Sequence, residues 1–153
     1  MQIENIPCAM AEQICRDITE SLPEWFGQAE ANERYAKGVA ERVALVAFNG
    51  VKPIGLISLE FHYPNNANIY WLGVMRDYHG QGIGAALMAV AAQFSIGKNC
   101  DSMTVETLAE RNGDEAYLKT YRFYERCGFR PLFDMNTYGP DFSMVYMIKD
   151  LAL

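Results

Sequence analysis

No stretch of this 153-residue chain is apolar for long enough to cross a bilayer. The longest unbroken run, residues 85–92, falls well short of the roughly 20 apolar residues a spanning helix needs, and it reads as a buried helix. No membrane partner is expected. Positive charge is scarce as well: 13 Lys and Arg face 19 Asp and Glu, for a formal net charge of −6. That balance argues against a nucleic-acid partner or an anionic lipid surface, and it suits either a cationic acceptor or simple solubility. The four cysteines, Cys8, Cys15, Cys100 and Cys127, form no C-x-x-C pair, and the first residues show no basic segment leading into an apolar one. Reduced thiols and a cytoplasmic location are therefore expected. His62 and His79, the two histidines, lie far in sequence from any second ligand, so no metal is expected. Repeats and low-complexity segments are missing too. With half of its residues hydrophobic, the chain is expected to form one domain over 1–153 around a single core.

What is present is a glycine-rich turn, His79-Gly80-Gln81-Gly82-Ile83-Gly84-Ala85-Ala86-Leu87, running into good helix formers. Alternate glycines let the backbone approach an anion closely and adopt positive φ. Successive N–H groups then converge on the anion while the positive end of the new helix faces it. The segment Ile69-Tyr70-Trp71-Leu72-Gly73-Val74 before it has strand composition. The six residues from Gly80 to Ala85 also fit G-x-G-x-x-A, the dinucleotide fingerprint, but that turn should follow its strand directly, and Met75-Arg76-Asp77-Tyr78-His79 intervenes. A P-loop is excluded because no Gly-Lys-Ser/Thr follows.

Periodicity organises the rest. Residues 1–6 suggest an edge strand. Over 9–22, Met10, Ile14, Ile18 and Leu22 recur at helical spacing and Pro23 follows; a second helix is expected over 30–40. The linker between them carries Trp25 and Phe26, which either cap the core or line a pocket. Strands over 43–48 and 53–63 join through Asn49-Gly50, and a third covers 67–74. In the helix over 82–98, Ile83, Leu87, Val90 and Phe94 share a face, and small residues such as Ala85 and Ala89 leave other faces open to close packing. The strand over 102–107 should run parallel to the strand before that helix, because a helical crossover joins them. Residues 108–115 form a loop, 117–127 a helix ended by Gly128, and 129–136 and 142–149 two strands around Tyr138-Gly139-Pro140. The fold class is α+β.

Val74 through Leu87 resembles motif A of the GNAT superfamily of N-acetyltransferases, an Arg/Gln-x-x-Gly-x-Gly/Ala signature around the pyrophosphate of acetyl-coenzyme A. Tyr124-Glu125-Arg126-Cys127-Gly128-Phe129 resembles that family's motif B. The two occur in family order with one strand between them. The resemblance implies a GNAT-like mixed, mostly antiparallel central sheet with a splayed parallel strand pair and flanking helices. It implies acetyl-coenzyme A as co-substrate and transfer to a primary amine of a small molecule or an exposed amino group, without an acyl-enzyme. By position, Leu72 and Val74 would pair with the pantetheine arm, the amides of Gln81, Gly82, Ile83, Gly84 and Ala85, with Gly80, would hold the pyrophosphate, and Tyr124 would be the general acid.

Two positions depart from the family pattern. His79 stands where Arg or Gln is usual and is the side chain expected to contact the coenzyme's pyrophosphate, and Tyr117 stands where an Asn is expected, so Asn112 is the candidate replacement toward pantetheine. The general base is open between Glu106 and Glu60, each near a strand end. A non-catalytic acyl-coenzyme A-binding or sensing protein is the alternative to an enzyme. An oxidoreductase using a dinucleotide is more distant, since the chain has no room for a second nucleotide half and a substrate domain. A homodimer is left open.

Overall fold

The first hairpin turns one residue later than its Asn-Gly pair suggests. In the computed structural model, which describes residues 1–136, 139 and 142–151, Asn49 is the last residue of a strand and pairs with Lys52, so Gly50 and Val51 form the turn. Gly50 has φ +64° and Val51 does not lie at positive φ, the sign pattern of a II′ turn, which demands glycine first.

In chain order the elements are β1 (Gln2–Asn5), α1 (Cys8–Glu20), α2 (Ala29–Val39), β2 (Val43–Asn49), β3 (Lys52–Tyr63), β4 (Asn66–Val74), α3 (Ile83–Gly97), β5 (Ser102–Leu108), α4 (Glu115–Arg126), β6 (Arg130–Met135) and β7 (Met144–Asp150). These seven strands and four α-helices among the described residues form a mixed α+β fold whose sheet order is β1-β2-β3-β4-β5-β7-β6. No helix among them is long and apolar enough to cross a membrane. The chain falls into two compact units, Met1–Glu60 with Ile69–Phe94, and Phe61–Asn68 with Ser95–Leu153, so β4 is divided between Asn68 and Ile69.

In the first unit, β1 pairs with β2 and β2 with β3, both antiparallel. The β2–β3 register shifts at Phe48, opposite Pro53, which has no N–H to give the ladder. α1 buries Ala11, Ile14, Cys15, Ile18 and Leu22 follows, so the apolar stripe is turned from the expected one and Met10 is 51% exposed. The cause is geometric: Ala11 and Cys15 sit about 100° and about 140° round the helix from Met10, and their small side chains allow close approach. With Ala36, Val39, Ala44, Val46, Leu56 and Trp71 these residues form one core cluster. α3 lies on the opposite face of β3. A Cβ added at Gly55 would meet Leu87 Cδ1 at 3.0 Å and Ile83 Cγ2 at 3.3 Å, so the missing side chain lets the helix close. The buried residues of α3 are Ile83, Leu87, Met88, Ala91 and Ser95, whereas Val90 and Phe94 are half-buried and Ala85 and Ala89 exposed. The expected face was therefore also rotated by part of a turn.

In the second unit, β5 pairs antiparallel with β7, and β7 with the edge strand β6. The start of β4 runs alongside β5: Asn66 bonds Ser102 Oγ at 3.0 Å and Thr104 bonds Asn68 Oδ1 at 2.8 Å, rising together along both strands, as a parallel pair does. Met103, Val105 and Thr107 on β5 and Val145 and Met147 on β7 alternate inward. α4 covers that face. Its Tyr121 borders the same surface depression as Val145, and Lys149 Nζ reaches the Cys127 carbonyl at the helix end, at 2.5 Å. Of the expected Tyr138-Gly139-Pro140 turn, Tyr138 and Pro140 lie outside the described residues.

Candidate active site

β4 ends where the Met75 N–H bonds the Ile54 carbonyl at 2.8 Å, and a single 3₁₀ turn, Arg76–Tyr78, follows. Gly80 and Gly82 then take φ +76° and +79°. A Cβ at either would meet nothing within 4 Å, so it is backbone conformation and not space that requires glycine here. The first main-chain bond of α3 runs from the Ala86 N–H to the Gly82 carbonyl at 3.0 Å. The amides of Ile83, Gly84 and Ala85 stand ahead of it as first-turn donors, where the helix dipole favours an anion. Gly80, Gln81, Gly82 and Ala85 are exposed, while the buried Ile83 side chain anchors the turn to the core. The Gln81 side chain donates to the Asp77 carbonyl at 3.3 Å.

His79 is exposed, but its ring folds back onto its own chain. Its Nε2 lies 2.7 Å from the Val74 carbonyl, and because a carbonyl only accepts, Nε2 is the donor. Its ring stands edge-on to Trp25 with centroids 5.8 Å apart, and Phe26 stacks on Trp71 at 5.4 Å. Both linker aromatics are half-buried and pack against the core cluster. Arg76, which sequence reasoning passed over, donates to the Ser21 carbonyl at 2.9 Å and pairs with Glu24. That guanidinium holds the Glu24 carboxyl below the usual carboxylate range. Leu72 and Val74 are both half-buried on β4.

Tyr124 is fixed by the way α4 stops. Gly128 has φ +95°; its N–H bonds the Glu125 carbonyl at 3.0 Å, and the Phe129 N–H bonds the Tyr124 carbonyl at 3.0 Å. Those are the two bonds of a Schellman motif, and the edge-to-face contact of Tyr124 with Phe129, 5.6 Å between centroids, is its usual apolar companion. At the other end Asp114 caps the helix by accepting from the Tyr117 N–H at 3.2 Å, so α4 begins at Glu115 and not at Tyr117. Tyr124 is 5% exposed. Burial pushes its hydroxyl well above the ordinary phenol value, and the Cys127 thiol and Tyr117 hydroxyl push the same way. It therefore stays protonated through the neutral range.

Asn112 sits in a second 3₁₀ turn, Glu110–Asn112, inside the segment expected to be loop. Its amide N donates to the Ser143 and Ala109 carbonyls at 2.6 and 3.1 Å, and its amide O accepts from the Ser143 N–H at 3.2 Å. Arg111 reinforces this link through Ser143 Oγ at 2.7 Å and Asp134. The side chain expected to reach toward pantetheine is thus engaged in holding its own loop to the start of β7. Glu106, half-buried on β5 opposite Tyr146, alternates onto the face away from α4, so it and Tyr124 lie on opposite faces of this part of the sheet. No hydrogen bond or ion pair among the described residues reaches its carboxylate. Glu60 on β3, by contrast, lies 3.5 Å from Arg42 Nε with its side chain 13% exposed. The expected site residues therefore fall into two groups: Glu60, Leu72, Val74 and the residues from His79 to Ala85 in the first unit, and Glu106, Asn112 and Tyr124 in the second.

A family model described as the acetyltransferase (GNAT) family matches residues 11–129. Among solved structures, the fold is similar to that of a protein from Desulfovibrio desulfuricans described as a GNAT-family acetyltransferase, with TM-score 0.83, 18% identity and 99% of each chain covered. It is similar too to an aminoglycoside 6′-acetyltransferase type Ii, with TM-score 0.80, 19% identity, and 100% of this chain and 99% of the other covered. An aminoglycoside 6′-N-acetyltransferase complexed with coenzyme A gives TM-score 0.79 at 16% identity, with 100% and 98% covered. At these identities the likeness is one of fold. No curated protein sequence matches significantly.

Proposed function

The chain belongs to the acetyltransferase (GNAT) family and is an acyltransferase by that membership, and from this premise we propose that it moves an acetyl group from acetyl-coenzyme A to a primary amine of a small molecule or an exposed amino group. The observation that carries the proposal is the cradle: two glycines at positive φ feeding the first-turn amides of α3, in a chain whose net charge otherwise repels anions. Those amides hold the pyrophosphate, and Leu72 and Val74 on β4 line the arm.

Transfer is direct. The amine nitrogen bonds to the thioester carbonyl carbon, the C–S bond breaks, the amine's proton goes to a carboxylate, and the thiolate takes a proton from Tyr124. Of the two carboxylates Glu106 is the better base, since no ion pair among the described residues engages it, whereas Glu60 faces Arg42. A base and an acid on opposite faces suit this chemistry, because the amine approaches the carbonyl carbon and the thiolate leaves it in different directions. The reading includes both units acting as one domain over 1–153 and a cytoplasmic setting, supported by four free thiols. The test is purified protein with acetyl-coenzyme A and a panel of amines, following free thiol release. Acetyl-coenzyme A binding with no amine-dependent thiol release would instead support the sensing alternative.

A further inference from the structure

One peptide group is held at both ends where β4 gives way to the cradle. The Met75 N–H bonds the Ile54 carbonyl at 2.8 Å, and the Val74 carbonyl, the other end of that peptide, accepts from His79 Nε2 at 2.7 Å. The imidazole turns back along the chain to make this bond, and it keeps an edge contact with Trp25 as it does so. Arg76 between them is tied to the Ser21 carbonyl and to Glu24. The segment 75–79 is therefore clamped by β3 on one side and by the 21–27 loop on the other.

A nitrogen that donates to Val74 is not available to a phosphate. In the neutral ring with its proton on Nε2, Nδ1 is an acceptor and has no hydrogen to offer a phosphate oxygen. We propose that His79 is a positioning residue for the arm of the acyl donor and not a ligand of its pyrophosphate: it sets the Val74–Met75 peptide at the end of the strand along which the arm lies. The proposal rests on the coenzyme reading of the cradle.

The experiment compares two ligands by calorimetry, coenzyme A and adenosine 3′-phosphate 5′-diphosphate, which keeps the nucleotide and pyrophosphate but has no arm. His79→Phe retains a flat ring against Trp25 and removes the donor. It is expected to weaken coenzyme A about tenfold, the scale of one lost hydrogen bond, and to leave the armless nucleotide nearly unchanged. His79→Gln, with an amide donor, is expected to recover most of the loss. Equal losses for both ligands would return His79 to the phosphates, and no loss for either would make it idle; both results overturn the proposal. Long-range ¹⁵N–¹H correlation on the free protein reads the bond without any ligand, and a ring protonated on Nδ1 alone would overturn it as well. Wild-type protein that binds neither ligand would sink the coenzyme reading itself, a result distinct from all of these.

Discussion

Phe129 gives its main-chain N–H to the carbonyl of Tyr124 at 3.0 Å while the two rings meet edge to face, so the residue that ends α4 also sets the residue expected to act as acid. Between them Gly128 supplies the positive φ that closes the turn, and a Cβ there would come within 2.9 Å of Lys149 Nζ. Gly128→Ala is expected to cost about 1–2 kcal/mol from the left-handed backbone alone. The lysine can swing aside, at the loss of its bond to the Cys127 carbonyl. Thermal melting reads the stability. Turnover in the folded variant should fall further than coenzyme affinity, because Tyr124 shifts and the cradle does not.

At Gly82, with φ +79°, a branched side chain strains the turn and crowds the anion's approach. Gly82→Val is expected to abolish acetyl-coenzyme A binding in calorimetry while the protein still melts cooperatively. Binding that survives unchanged would remove the cradle from the site.

The glycine turn and the α4 stop were legible in the sequence because each depends on local backbone chemistry: positive φ at Gly80, Gly82 and Gly128, and an apolar residue after the last. Helix faces were less legible. Met10 and Val90 fit the expected stripes as well as Ala11 and Ala91 do, and only the packing of neighbours chooses between faces about 100° apart. The bonds that His79 and Asn112 make were not legible at all. Their partners, the Val74 and Ser143 backbones, carry no sequence signal, since any residue has a carbonyl to offer.

The two carboxylates separate by their surroundings. Glu106→Gln is expected to lower turnover by roughly 10²- to 10⁴-fold with coenzyme binding retained, as loss of a general base does. Glu60→Gln, which leaves Arg42 without its charge partner, should act mainly on stability. Equal turnover for Glu106→Gln and wild type, with chemistry rate-limiting, would exclude Glu106 as the base.

Glu33 provides a check on the α1–α2 pairing. Its carboxylate accepts from Arg16 at 2.6 and 3.0 Å, and that bonding holds it below the usual carboxylate range. A carboxyl depressed in the folded state contributes stability above its unfolded value, and the contribution is lost as pH falls through the folded one. The gap in melting temperature between wild type and Glu33→Gln should therefore be widest near neutrality and close on acidification. A gap that is independent of pH would assign the effect to packing.

Tyr124→Phe isolates the proton. The substitution keeps the ring, its edge contacts with Phe123 and Phe129, and the burial that makes the residue part of the core, so folding should be close to normal. Coenzyme binding should also be near normal, because the hydroxyl is needed only once the thiolate begins to leave. Turnover is expected to fall by about 10²- to 10⁴-fold, the usual scale for a positioned general acid. A coenzyme thiolate is a tolerable leaving group even unprotonated, which favours the lower end of that range. Because burial keeps the phenol protonated well past neutrality, the wild-type rate should show no loss of the acid on the alkaline side until well above the ordinary phenol value. Stopped-flow measurement of the chemical step across that range separates the two cases: full turnover by the phenylalanine variant would reduce Tyr124 to a core residue and shift the weight to the sensing alternative.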